Sequence, residues 1–561
     1  MPSALDLRLQ AAYESITGPG GMITVGTTQR YGREMPFIAN APGNLADYMA
    51  YFCHMHGDAT FLVEGDERLS YKQFYAAARA VAMGLVAKHG VQKGDRVGIA
   101  MRNATSWCVV YAGILMAGGC ATLLNGWWQS GELTDGIRMT GATLVIADPQ
   151  RAERLAAIDH GATVVTLNIA QPLDAAIAPL TGATADLPQL AGDDLATILF
   201  TSGSTGQSKG AYSRHVNVIQ GTFNYICQTL GIVHLLTQDG LMTGNQPATL
   251  VCTPLFHVTA EVPVFLQSFA LGRKLVLMPK WNAEHAMQLI QDEKVNNFTG
   301  VPLMSYEMLT HPNRHKYDLS SCTGFAAGGA PRPPEHVKRL ADGMGGGKPL
   351  LGYGLTETNA VGCGNINENY LAKPLSTGPA SKPLVDLAIL DESGAPLAQG
   401  EVGEVCIRSI ANFEGYWNNE AATKAAFTDD GYFRTGDLGY LDEDGYLFIV
   451  DRKKDIIIRG GENISCQEVE AAIYEHPDAN ECAVFGLPDD RLGEVPGAVV
   501  WMKPGSNVDA DELKAFLRDR LAAFKVPQVI WISPDALPKL GTEKIDKVSL
   551  RTRYREAYVM A

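Results

Sequence analysis

A loop rich in glycine and hydroxyl side chains carries the strongest chemical signal in this 561-residue chain. It reads TSGSTGQSKG and directly follows an apolar segment that ends at Phe200. Glycines leave backbone N–H groups free to turn toward an anion, hydroxyls add donors, and a lysine adds a mobile positive charge. The spacing differs from the Walker A pattern, so this is a phosphate-binding loop of another kind. The residues that we expect to contact phosphate are Thr201, Ser202, Gly203, Ser204, Thr205, Gly206 and Lys209.

Further segments follow this loop in a fixed order: GYGLTETNA at 352–360, YFRTGDLG at 432–439, DRKKDIIIRGGENI at 451–464 and the late Lys544. Their order and spacing resemble the acyl-adenylate-forming superfamily, in particular its acyl-CoA synthetase branch, from about residue 45 to the C-terminus. The resemblance implies a two-step reaction. ATP would first convert a carboxylic acid to an acyl adenylate with release of pyrophosphate, and the thiol of coenzyme A would then displace AMP.

The resemblance also implies how the nucleotide is bound. The loop would hold the β- and γ-phosphates, Thr356 would contact phosphate, and Glu357 would bind Mg²⁺, which prefers oxygen ligands. Asp437 would accept hydrogen bonds from the ribose hydroxyls, and Arg452 would reach the ribose and the α-phosphate. The adenine would lie between two walls, formed by Gly352, Tyr353 and Gly354 on one side and by Gly328, Gly329, Ala330 and Pro331 on the other.

Lys544 matches the family's catalytic lysine, which would be brought to the site by domain closure and bridge the substrate carboxylate and the α-phosphate. Lys454 matches the hinge of that movement. In the second step Gly460 and Gly461 would allow close passage of the pantetheine arm. Glu543 departs from the family pattern, which often has glycine there, and places a carboxylate beside the catalytic ammonium.

The acid-binding pocket is implied by His257, Val301 and Gly328, which match its walls in the family. Their surroundings are apolar and offer neither a fixed aspartate for an amino group nor an obvious arginine for a second carboxylate. The sequence therefore predicts a hydrophobic acid. Trp127 and Trp128 resemble a segment of synthetases for bulky acids, which leaves fatty, aryl, arylalkanoic and steroid-side-chain acids open.

Three other functions share these motifs. An adenylating enzyme could load a carrier-protein thiol instead of coenzyme A, and a luciferase-like oxygenase would use the adenylate differently. A non-catalytic nucleotide or acyl-AMP sensor would keep the binding residues without turnover. Acceptance of free coenzyme A, O₂ uptake or light, and pyrophosphate release distinguish these alternatives from an acyl-CoA synthetase.

Layers of sheet and helix must position these residues. Short apolar segments at 95–100, 143–147, 196–200 and 274–278 alternate with helical periodicity, which is typical of an α/β protein with covered sheets. After 451–455 the pattern changes to a compact α+β alternation. We therefore expect a large N-terminal domain of layered sheets and helices over residues 1–450, a hinge at 451–455, and a small mobile α+β domain over 456–561.

Composition restricts the partners. The formal net charge of −15 argues against a general nucleic-acid or anionic-membrane binder. Ten scattered cysteines without C-x-x-C spacing indicate reduced thiols in a cytoplasmic compartment. Coenzyme A is a polyanion, so a net-acidic protein needs local cations to hold it. The candidates in the C-terminal part are Arg459, Lys525, Lys539, Lys547 and Arg551.

Two segments need a separate interpretation. Residues 107–124 carry no charge and just reach the length of a membrane span, but the Gly118-Gly119 pair predicts a buried helix to Ala117 and a buried strand from Cys120. The first 45 residues lie outside the motifs. They could cap the large domain or form a subunit contact in a homodimer, and the sequence leaves both open.

Overall fold

The computed structural model describes residues 2–201, 208–242, 244–330, 332–540 and 544–560. Among these residues the strands are β1 Val25–Arg30, β2 Arg33–Ile38, β3 Thr60–Glu64, β4 Glu67–Ser70, β5 Arg96–Ala100, β6 Cys120–Leu123, β7 Leu144–Ala147, β8 Thr163–Thr166, β9 Leu195–Thr201, β10 Lys209–Arg214, β11 Ala248–Val251, β12 Lys274–Leu277, β13 Asn297–Gly300, β14 Gly324–Gly328, β15 Lys348–Gly354, β16 Gly362–Ile366, β17 Ser376–Gly378, β18 Asp386–Leu390, β19 Gly403–Arg408, β20 Gly415–Tyr416, β21 Phe433–Leu441, β22 Leu447–Arg452, β23 Ile457–Arg459, β24 Glu462–Ile464, β25 Ala479–Asp489, β26 Gly493–Met502 and β27 Val529–Ser533.

Helices cover both faces of the large sheets. They are α1 Ala4–Thr17, α2 Leu45–His56, α3 Tyr71–His89, α4 Thr105–Met116, α5 Ser130–Thr140, α6 Pro149–Ala156, α7 Leu173–Ile177, α8 His215–Gln238, α9 Val258–Ala260, α10 Gln267–Leu271, α11 Ala283–Asp292, α12 Pro302–Thr310, α13 Pro334–Gly343, α14 Asn367–Ala372, α15 Glu420–Ala426, α16 Cys466–Tyr474, α17 Ala510–Arg518 and α18 Lys547–Met560. A π-helical turn covers Glu261–Leu266, and short 3₁₀ turns cover Ala178–Leu180, Arg314–Lys316 and Thr356–Thr358.

Two large sheets dominate the N-terminal part. One has the order β20-β10-β9-β6-β5-β7-β8 and the other β16-β15-β14-β13-β11-β12-β3-β4. Strands β11, β13, β14 and β15 are parallel neighbours, so their carboxyl ends meet at one edge, where Gly328 and Gly352 are register partners. In open α/β sheets that edge is where ligands bind. The predicted α/β fold of the large domain is confirmed.

Two smaller sheets follow in the chain. The order β17-β22-β21-β19-β18 completes the large part, and β24-β23-β26-β25, with β27 parallel to β26, forms the sheet of the small α+β part. Ser465 caps α16 by accepting a hydrogen bond from the Glu468 N–H. Helix α17 ends at Arg518, and Leu521 is buried beyond its end.

Residues 107–124 divide as predicted. Helix α4 is buried over its whole length and β6 begins at Cys120, with Gly118 at a φ of 80° at the break. The N-terminus of α4 is capped by a residue of β3: Glu64 accepts a hydrogen bond from the Thr105 N–H at 2.7 Å. None of the described helices combines the length and apolarity needed to cross a bilayer.

The N-terminal segment caps the large domain. Leu9 and Ala12 of α1 form a small apolar cluster with Leu235 of α8, and the Tyr13 hydroxyl donates to Gln228 at 2.6 Å. Of the two alternatives left open by the sequence, the structure therefore supports the cap. A homodimer stays a prediction.

Candidate active site

The phosphate loop closes an antiparallel hairpin. Strand β9 ends at Thr201, strand β10 begins at Lys209, and these two residues are register partners. The loop residues between them that we predicted, Ser202, Gly203, Ser204, Thr205 and Gly206, lie outside the described residues, as do Pro331 and Glu543. The Lys209 ammonium lies 4.7 Å from the centre of the Tyr416 ring. Both ends of the loop are thus fixed by the sheet, and its lysine faces a residue that also contacts Glu357.

Glu357 lies in the 3₁₀ turn that follows β15 and is buried. Its Oε1 accepts a hydrogen bond from the Tyr416 hydroxyl at 2.8 Å. Burial raises the pKa of this carboxyl, while the Tyr416 hydroxyl, Arg452 and Lys209 act in the opposite direction. Because this carboxylate has lost its solvent, its charged form depends on hydrogen bonds and on nearby positive charge. Thr356 begins the same turn and is half-buried.

Tyr353 and Asp437 are joined directly. The Tyr353 hydroxyl donates to Asp437 Oδ2 at 2.6 Å, and the Arg452 Nε lies 3.3 Å from Asp437 Oδ1. Asp437 and Arg452 are register partners on β21 and β22, which explains their proximity. Burial raises the pKa of Asp437, and Arg452 and the Tyr353 hydroxyl offset part of this rise. The predicted adenine and ribose contacts therefore form one hydrogen-bonded group.

Lys544 reaches the edge of the large sheet from the small domain. A Cβ placed on Gly329 would lie 2.8 Å from the Lys544 Nζ, so a side chain there would displace the lysine, and the φ of 75° at Gly329 also favours glycine. Loss of solvent around the ammonium and, to a smaller extent, the charge of Arg452 together lower the pKa of Lys544 to about 8. Two neighbouring cations, of which Arg452 is paired with Asp437, form an environment that favours a phosphate. Ala330 is half-buried beside Gly329.

His257 lies close to Lys544, between β11 and α9. Burial lowers the pKa of its imidazole to about 3, and the Lys544 ammonium contributes to this. The ring is therefore neutral near pH 7, and its Nδ1 accepts from the Thr259 N–H at 3.4 Å. A Cβ on Gly328 would lie 3.9 Å from the Thr259 methyl carbon. Val301 precedes α12 and is buried. The predicted pocket residues thus line one sheet edge with neutral groups.

The two glycines predicted to border the pantetheine arm make no recorded contact with this edge among the described residues. Gly460 and Gly461 form the exposed turn between β23 and β24, with φ values of 59° and 92°. The Gly460 N–H donates a hydrogen bond to the carbonyl of Leu492 in the small domain at 2.7 Å. The arrangement that seats Lys544 at Gly329 is therefore one in which these glycines face away.

The segment around Lys454 is tied to the small domain on one side. Asp451 accepts hydrogen bonds from the N–H groups of Cys466 and Gln467 at the start of α16, and Ser465 donates to the Val450 carbonyl at 2.7 Å. Lys454 itself is exposed. A hinge at this point stays a prediction.

Four of the five cations that the sequence offered for coenzyme A have protein partners. Lys525 pairs with Glu468, Lys547 with the buried Glu470, Arg551 with Asp455, and Lys539 with Glu307 and Glu481. These pairings argue against assigning the four to coenzyme A in the described arrangement. Charge alone could not distinguish a ligand contact from an internal ion pair.

Sequence reasoning missed Tyr416, the hydrogen-bond partner of Glu357. It lies on the two-residue strand β20, which reaches the site by pairing with β10, where Ala211 is its register partner. A lone Gly-Tyr pair in a loop-rich region has no spacing that marks it as functional.

Comparison with known proteins identifies the family of the chain. Residues 50–417 match the family described as AMP-binding enzyme, and residues 468–544 match the AMP-binding enzyme C-terminal domain. The chain is 35% identical over 500 residues to a feruloyl-CoA synthase of Amycolatopsis sp, which covers 89% of this chain and 97% of that protein. It is 34% identical over 495 residues to the long-chain-fatty-acid–CoA ligase FadD13 of Mycobacterium tuberculosis, covering 87% and 94%. The structure of ATP-bound MatB from Rhodopseudomonas palustris has a TM-score of 0.80, with 30% identity and coverage of 92% and 100%.

Proposed function

The chain belongs to the AMP-binding enzyme family, and we propose that it is an AMP-forming carboxylate–CoA ligase acting on a hydrophobic acid. The observation that carries the proposal is the position of Lys544. This lysine comes from the small domain and lies against Gly329, beside Arg452 and His257. A cation delivered to the edge where nucleotide and acid meet supports adenylation.

In the first step a carboxylate oxygen of the acid attacks the α-phosphorus of ATP. A phosphorus–oxygen bond forms, the bond to the β-phosphate breaks, and pyrophosphate leaves. Negative charge moves among oxygens throughout, so positioned cations are the main source of rate enhancement. Lys544 would bridge the attacking carboxylate and the α-phosphate, and loop 201–210 would hold the departing phosphates.

The nucleotide would be held by the group already joined in the structure. Tyr353 would lie against the adenine and Asp437 would accept hydrogen bonds from the ribose hydroxyls, with Arg452 beside it. Glu357 fits a Mg²⁺ ion, because a cation at this buried carboxylate would offset its loss of solvent. When bound, Mg²⁺ supplies positive charge to the phosphates.

In the second step the thiol sulfur of coenzyme A attacks the acyl carbon, the thiol proton is released, and AMP leaves. We propose that the small domain rotates about Lys454 to turn Gly460 and Gly461 toward the pantetheine arm. Support comes from their present exposure away from the site. The domains would then be residues 1–450 and 456–561, joined by 451–455.

The substrate class rests on the neutral pocket and on the relatives. His257, Val301 and Gly328 present no fixed charge to the acid. The relatives named above carry names for a feruloyl and a long-chain fatty acid. We therefore propose a fatty, aryl, arylalkanoic or steroid-side-chain acid. All ten cysteines are buried free thiols, which supports a reducing, cytoplasmic setting.

The test is pyrophosphate release with ATP and Mg²⁺ against a panel of these four acid classes, each with and without coenzyme A. Release that rises with coenzyme A for one class, together with the corresponding thioester, is the expected result. Release without any thioester would favour another thiol acceptor. ATP binding without release for any acid in the panel would contradict the ligase proposal.

A further inference from the structure

Lys544 lies on one of two paired segments, 538–540 and 544–546, which we call the Lys544 hairpin. Lys539 and Ile545 are bridge partners, the Leu540 N–H donates to the Lys544 carbonyl at 2.7 Å, and the Asp546 N–H donates to the Pro538 carbonyl at 2.8 Å. The backbone of Lys544 is therefore fixed relative to that of Lys539. A contact that holds Lys539 therefore also helps to position the backbone of Lys544.

The Lys539 ammonium lies between two carboxylates from different domains. It is 3.5 Å from Glu307 Oε1 on α12 of the large domain and 3.1 Å from Glu481 Oε1 on β25 of the small domain. Both carboxylates are themselves held in place. Glu307 Oε2 accepts from the Trp281 Nε1–H at 2.5 Å, and Glu481 Oε2 accepts from the Leu537 N–H at 2.8 Å.

The two contacts differ in when they can exist. Glu481 and Lys539 belong to the same domain, so their pair persists when that domain moves. The pair with Glu307 requires the small domain to lie against α12. Glu481 already orders the Lys539 side chain. The additional pairing of Lys539 with Glu307 therefore costs little side-chain entropy. Side-chain exposures of 22% for Lys539 and 34% for Glu307 reduce solvent screening of the pair.

We propose that Glu307 is a positioning residue for adenylation. By accepting Lys539 it seats the hairpin on the large domain, so that Lys544 lies at Gly329. It has no role in thioester formation, because the small domain must leave α12 before the glycines at 460 and 461 can turn inward. This inference rests on the proposed ligase function. A second contact at the same interface, between the rings of His336 and Tyr474 at 5.9 Å, accompanies the docked arrangement.

The test compares the two half-reactions in Glu307→Gln. Glutamine keeps the size of the side chain and can still accept from Trp281, so only the charge is lost. We expect single-turnover pyrophosphate release to fall roughly threefold to fivefold, the upper range for a partly exposed pair. Thioester formation from synthetic acyl-AMP and coenzyme A should stay within about twofold of wild type.

Glu475→Gln is the matched control. Glu475 pairs with Arg520 inside the small domain, and the variant should leave both half-reactions unchanged. The double variant Glu307→Gln/Lys539→Gln should release pyrophosphate no more slowly than Lys539→Gln alone, because the two residues act through one contact. Additive losses would overturn the proposal, and so would equal loss in both half-reactions of Glu307→Gln. A wild-type enzyme that releases no pyrophosphate with any acid would instead refute the ligase function.

Discussion

The nucleotide-binding face and the Lys544 hairpin are built in different ways. On the face, Tyr353, Asp437 and Arg452 are joined by contacts of 2.6 and 3.3 Å within the large domain and the strand that ends it. The hairpin belongs to the small domain and contacts the large one through Gly329 and the Lys539–Glu307 pair. The groups that we propose to bind the nucleotide are therefore joined before it binds, whereas the lysine that we propose for catalysis comes from the small domain. In the proposed cycle this arrangement lets one site serve two half-reactions in turn.

The largest effect expected from this difference is that of Lys544→Ala. Removing a cation aimed at developing charge costs on the order of 10²-fold to 10³-fold in rate, so pyrophosphate release should fall by that amount. Thioester formation from supplied acyl-AMP should change by less than about threefold, because Lys544 is absent from the site in that step. Comparable losses in both half-reactions would show that the lysine serves a general structural role.

Asp437→Asn should affect both half-reactions, since the nucleotide is bound in each. The substitution keeps an acceptor for Tyr353 but leaves Arg452 without its charged partner. A buried hydrogen bond to a charged group contributes about 1.5–3 kcal/mol, so ATP and AMP should bind roughly 10-fold to 100-fold more weakly. Asp386→Asn is the control. It breaks the pair between Asp386 on β18 and Arg408 on β19, in the same sheet, and should leave nucleotide affinity unchanged. Loss confined to adenylation would contradict the assigned role of Asp437.

The sequence predicted the preorganised face better than the delivered hairpin. Asp437 and Arg452 lie in two sequence motifs that form neighbouring strands, β21 and β22. The pairing of these strands brings the two residues together. Lys539 was a candidate for binding coenzyme A, because a lysine's type does not reveal its partner, and Glu307 lies on a distant helix of the other domain. Tyr416 was missed for the same reason: its contact with Glu357 depends on the edge pairing of β20 with β10. Contacts made only by tertiary structure leave no local pattern.

The pH dependence of adenylation should report the delivered lysine. Burial lowers the pKa of Lys544 from 10.5 to about 8. The ammonium is therefore present below this value and is lost as the pH rises through it, so kcat/KM for pyrophosphate release should fall about tenfold between pH 7 and pH 9. His257 is already neutral throughout this range and contributes no second limb. Lys544→Arg should abolish the alkaline limb, because arginine stays charged. A limb that persists in this variant would belong to another group.

The smallest expected effect concerns the Glu357 group of the preorganised face. Tyr416→Phe removes the hydrogen bond to Glu357 Oε1, which leaves this buried carboxylate less well stabilised in its charged form. One such bond contributes about 1 kcal/mol, so the Mg²⁺ concentration for half-maximal adenylation should rise roughly fivefold. Tyr212→Phe is the control, because Tyr212 lies on β10 and packs against Trp417 at 5.5 Å. If both variants needed the same Mg²⁺ concentration as wild type, the hydrogen bond from Tyr416 would not matter for Mg²⁺ binding. The orientation of Glu357 would then be set by the backbone of its turn alone.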